Sequence, residues 1–104
     1  MNTELPELQD SVIDVETFNQ YINDLSLTEI LDVRLKGNEA IRAQDSNTDL
    51  VRGAVLFEGK DVSGMQIKYI YEGLEWWDTL MWVEAGIRLI RIAHDWASYE
   101  LEGD

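Results

Sequence analysis

The residues best suited to chemistry lie in and just after one stretch, "YIYEGLEWWDTLMW", residues 69–82. Asp78 stands there among aromatic side chains. A carboxylate held against aromatic rings costs free energy unless it is paired. Arg91 can supply the partner if the turn between the two strands occupies 83–86, because the two residues then face each other directly. A three-residue turn would instead bring Ile92 opposite Asp78 and send Arg91 to the other face. Tyr69, on the preceding strand, has a phenol to donate. Tyr69, Asp78 and Arg91 are either a structural ion pair with its hydrogen bond, or the polar floor of an aromatic cleft for a small ligand or a partner's side chain.

Trp77 and Met81 alternate onto the opposite face, beside Ile70. Tryptophan and methionine on the solvent side of a sheet form a binding patch, unless a helix or a second copy of the chain covers them.

Other chemistry is poorly supported. The chain has no cysteine, which excludes disulfides, thiolate metal ligands and cysteine nucleophiles. His94 is the single histidine, so a serine triad or a zinc site would depend on it alone. "DVSGM" departs from the G-x-S-x-G elbow, and phosphate-binding glycine patterns are missing. Asp45, Asn47 and Asp49 open like a calcium loop. Leu50 stands where that loop needs glycine, and Leu56 where it needs a bidentate glutamate. No catalytic residue, metal ligand or cofactor site is assigned.

The elements that must position these groups follow from periodicity. Phe18, Tyr21, Ile22 and Leu25 share one helical face. With Asp14 as N-cap, Ile13 and Phe18 take staple positions, which predicts a helix over 15–25. Leu31, Val33 and Leu35 alternate with charged residues as a half-buried strand. Ile41 and Ala43 can continue as a second strand after a turn near 37–39, in an open register. Residues 49–58 fit a short helix, capped by Asn47 or Thr48 and closed by Gly59, or a strand; the helix is preferred. From Met65 onward the pattern predicts a three-stranded antiparallel meander. A Gly73–Leu74 turn pairs Tyr69 with Asp78, and Gly86 marks the second turn.

The fold expected is α+β: an antiparallel sheet of about five strands with one or two helices on one face. Residues 1–10 read as a flexible acidic leader, 11–95 as the single domain and 96–104 as an acidic tail.

Charge bounds the partners. Twenty-one acids face eight bases, giving −13. Such a surface repels nucleic acid and anionic membrane. No run is long and apolar enough to span a bilayer, and the N-terminus has acids where a signal peptide needs positive charge. The expected location is the cytoplasm. The leading functional expectation is a small non-enzymatic binding or accessory protein that engages a protein partner, its acidic surface suiting a basic one. The alternative is a small-molecule binder or minor enzyme using the Tyr69–Asp78–Arg91 cleft. A homodimer through Trp77 and Met81 is a third reading.

Overall fold

In a computed structural model of the chain, residues 8–37 and 48–94 are described. They form β1 (Leu8–Ile13), α1 (Val15–Leu25), β2 (Glu29–Lys36), α2 (Leu50–Glu58), β3 (Gly64–Tyr71), β4 (Leu74–Val83) and β5 (Gly86–His94). The strands make one sheet in the order β1-β5-β4-β3-β2, antiparallel at every step. The class is α+β, as expected.

Both helices begin where an aspartate meets the first free amides. Asp14 Oδ1 accepts from the Thr17 amide at 2.8 Å, and Asp49 Oδ1 accepts from the Arg52 amide at 2.7 Å. Each cap is worth about 1 kcal/mol. The second cap is therefore Asp49, one residue after Thr48 and two after Asn47, the caps expected. The ambiguous segment 49–58 is settled as helix because it must lie flat on the sheet. Gly53 makes this possible: a β-carbon there would come within 3.1 Å of both the Met65 and Val33 side chains.

The helices cover one face of the sheet. Phe18 and Leu25 from α1, and Leu50, Ala54 and Phe57 from α2, are buried against Val33, Leu35, Met65, Ile67, Leu80 and Ile87. Each large side chain fully buried here contributes about 1.5–3 kcal/mol. Trp82 fastens the end of α2 to β4. Its ring stacks on Phe57 at 5.3 Å, and its indole N–H donates to the Phe57 carbonyl at 2.8 Å.

β1 and β2 are the two edge strands, so α1 must cross the sheet between them. Its 11 residues span roughly 16 Å. Five strands stand about 19 Å from edge to edge, so the helix and its short flanking turns bridge the width.

Several details differ from the sequence reading. β1 starts at Leu8, so residues 8–10, assigned to the leader, are part of the sheet. Their mixed polarity hid the strand; it is explained by pairing with β5, where Asp10 meets Arg88 in an ion pair at 2.7 Å. The β3–β4 turn is Glu72–Gly73, with φ of 53° and 81°. Two left-handed residues make a type I′ turn, whose twist suits a hairpin. Tyr69 therefore faces Trp76, and Ile67 faces Asp78. A shift of two residues leaves every side chain on its predicted face. β2 pairs with β3 through a bulge between Ile30 and Asp32. The proposed strand at Ile41 and Ala43, the hairpin register near 37–39, residues 1–7 of the leader and the tail 96–104 lie outside the described residues.

Two glycines separate conformational strain from steric clash. Gly73 has φ +81° with open space around it. Gly86 has φ +146°, and a β-carbon there would sit 2.8 Å from the Ile13 carbonyl oxygen of β1. Gly73→Ala should cost about 1–2 kcal/mol, the left-handed penalty alone. Gly86→Ala should cost more, because β1 must also move. Urea midpoints measure both.

Candidate binding site

Asp78 is completely buried on the helix-covered face of β4. Three elements bring donors to it. β5 places Arg91 directly opposite: Nε lies 3.1 Å from Oδ1 and 3.2 Å from Oδ2, and Nη2 donates to Oδ2 at 2.9 Å. β3 brings the Tyr69 hydroxyl, which donates to Oδ2 at 2.9 Å. α1 brings the Tyr21 hydroxyl, which donates to the same oxygen at 2.8 Å. The turn around 83–86 that faces Arg91 onto Asp78 is the one formed. Tyr69 reaches Asp78 diagonally, from a position opposite Trp76.

Sequence reasoning placed Tyr21 in the core but missed its hydroxyl as a donor. The signal available was a tyrosine at an apolar helical position, since a buried phenol needs a partner.

Burial, and then the negative charge of Asp78, push the Tyr21 and Tyr69 phenols above the ordinary 10.0. For Arg91, burial lowers the pKa, but the hydrogen bonds and charge of Asp78 more than offset this and hold it raised. The four groups thus sum to no net charge: one guanidinium, one carboxylate and two neutral phenols. Asp78 is sealed from solvent, so nothing in solution reaches its oxygens.

Arg91, whose side chain is 26% exposed, and the partly exposed Tyr21 are the members of the cluster that reach the surface. Together with Tyr21 and Tyr69 it lines a cleft of about 630 Å³ between α1 and the sheet. Leu25, Leu27, Leu89 and Tyr71 form much of the apolar wall, and Thr17, Gln20, Asp24 and Thr28 supply polar groups. The volume lies in the range of small-molecule sites.

Trp77 and Met81 are not in this cleft. They lie on the other face of the sheet, over which neither helix packs. Trp77 carries Lys68 over its ring at 4.2 Å, with the His94 ring 4.5 Å away. Its N–H donates to Glu75 at 2.7 Å. Ile70, Met81, Ile90 and Ile92 share this face and are partly exposed. The predicted residues therefore form two separate groups on opposite sides. Among the described residues, no cluster of three or more His, Asp or Glu is placed to hold a metal. No helix there is long and apolar enough to cross a membrane.

Two predictions follow from the geometry. Arg91→Leu strips the buried Asp78 of its countercharge and should cost about 3–5 kcal/mol. Tyr21→Phe removes one hydrogen bond to a charged group and should cost about 1.5–3 kcal/mol. Because both act on one carboxylate, their sum should differ from the double mutant, and a double-mutant cycle in urea measures the coupling.

The raised phenols set the pH dependence. Above pH 10 the unfolded chain releases protons that the folded protein retains, so their contribution is complete below pH 10 and lost as pH rises beyond it. An alkaline titration should show Tyr21 and Tyr69 ionising only together with unfolding, by phenolate absorbance against circular dichroism.

No protein-family model matches the chain, and neither the curated proteins nor the solved structures compared with it contain a significant match.

Proposed function

We propose that the protein is a non-enzymatic binding protein that docks a basic protein partner on the open face of its sheet. The supporting observation is the makeup of that face. It carries Ile70, Trp77, Met81, Ile90 and Ile92, with no described helix over them. Apolar residues on both faces of a sheet call for a cover on each.

Charge argues for the kind of partner. Arg34, Lys36, Lys68 and Arg88, half of the eight bases, lie on the open face. Asp10, Glu29, Asp32 and Glu75 balance them there. The chain as a whole is at −13, so the excess acid lies elsewhere. A negative field steers a basic protein from a distance. The balanced face then allows close contact without like-charge repulsion, and the apolar centre holds the complex. A second copy would meet the full repulsion of two acidic molecules.

The reading is tested by immobilising the wild-type chain and the Trp77→Ala and Ile90→Ser variants, and comparing what each retains from a lysate at low and high salt. The expected outcome is a set of basic proteins kept by the wild type. Both variants should lose them, with loss of the Trp77 anchor costing about 2 kcal/mol or more, and association should slow as salt rises. Identical retention by the variants contradicts the reading. So does binding limited to self-association in sedimentation equilibrium.

A further inference from the structure

The cleft beneath α1 is independent of the open face, and its chemistry points to a ligand of a different kind. Its polar floor is Arg91, whose orientation is set by Asp78 through Nε and Nη2. The Tyr69 hydroxyl also hydrogen-bonds the guanidinium, and Nη1 takes no part in the bonds to Asp78, although a guanidinium has donors on every nitrogen. The plane of the group is further confined by the Tyr21 and Trp76 rings, each centred 5.8 Å from its central carbon. Arg91 thus lines a largely apolar cleft with its guanidinium held in one orientation.

The charge of that guanidinium is already matched. Asp78 lies fully buried against it, so a second carboxylate would be bound without a second countercharge. Asp24 also lines the cleft and repels an anion. A cation has Asp24 to pair with, but would have to lie beside the guanidinium. The remaining polar groups, Thr17, Gln20, Thr28 and the tyrosines, are neutral.

We infer that the cleft between α1 and the sheet is a binding site for a neutral, mainly apolar small molecule with a carbonyl-type acceptor, which Arg91 recognises through the N–H groups that Asp78 does not engage, while Asp78 acts as the positioning residue. The walls of Leu25, Leu27, Leu89 and Tyr71 take the apolar body. Asp78 makes no ligand contact, which separates this site from one with a carboxylate floor.

Three probes with one body test the inference: naphthalene-2-carboxamide, naphthalene-2-carboxylate and 2-naphthylmethylamine. Binding is followed by amide chemical shifts in the full chain. The carboxamide should shift residues of α1 and the Arg91 side chain, and bind about tenfold tighter than either charged analogue, the equivalent of one good hydrogen bond. Arg91→Lys should abolish that preference. Since this variant also disturbs the Asp78 pair, Gln20→Trp, at an exposed position on the cleft, supplies the second test: it should block the carboxamide while leaving the fold intact. Equal or tighter binding of the carboxylate or the amine overturns the inference. It is also overturned by shifts centred on Trp77, by unchanged binding to Gln20→Trp, or by no binding of any probe. Loss of partner docking on the open face would leave these outcomes unaffected.

Discussion

A carboxylate with no access to water constrains everything packed around it. Asp78 needs donors, and the chain provides them from α1, β3 and β5. Hydrophobic contact alone would bury the same surface, but it is non-directional. Hydrogen bonds near 2.8–2.9 Å are directional, so they tie Tyr21, and with it α1, to one place above β3–β5. The cluster is consequently better understood as a device that positions the helix than as a source of net stability, since a buried ion pair roughly breaks even against well-packed apolar residues.

That placement divides the sheet. On one side α1 and α2 close over Phe18, Phe57, Met65, Ile67 and Leu80, all without solvent exposure. The cleft is what remains where α1 stands off the sheet near Tyr69, Tyr71 and Arg91. On the other side the aromatic and aliphatic residues are interleaved with a balanced set of charges. The same alternation that fills the core therefore loads the opposite face, because successive residues of a strand point to opposite sides.

Much of this was legible in the residues themselves. The period-two pattern after Met65 sorted Trp76 and Asp78 from Trp77 and Met81, and the sorting survived a two-residue error in the hairpin register because faces repeat every two residues. The cap at Asp14 and the apolar face of α1 were readable from local rules. What was hidden depends on contacts distant in sequence. β1 looks like a polar leader until Arg88 is seen to pair with Asp10. Tyr21 reads as one more core ring until Asp78 is placed beneath it. The Glu72–Gly73 turn was missed because a glycine offers its left-handed freedom at either turn position, and glutamate rarely takes the other.

The division of the sheet into a sealed and an open face can be measured with two methionines. Met65 is fully buried on the helix-covered face; Met81 lies on the other and is partly exposed. In the native protein treated with dilute peroxide, site-resolved oxidation should proceed readily at Met81, while Met65 reacts only at the rate of unfolding. Equal protection of both would mean that the second face is also covered. Equal reactivity would mean that the helices do not seal the first.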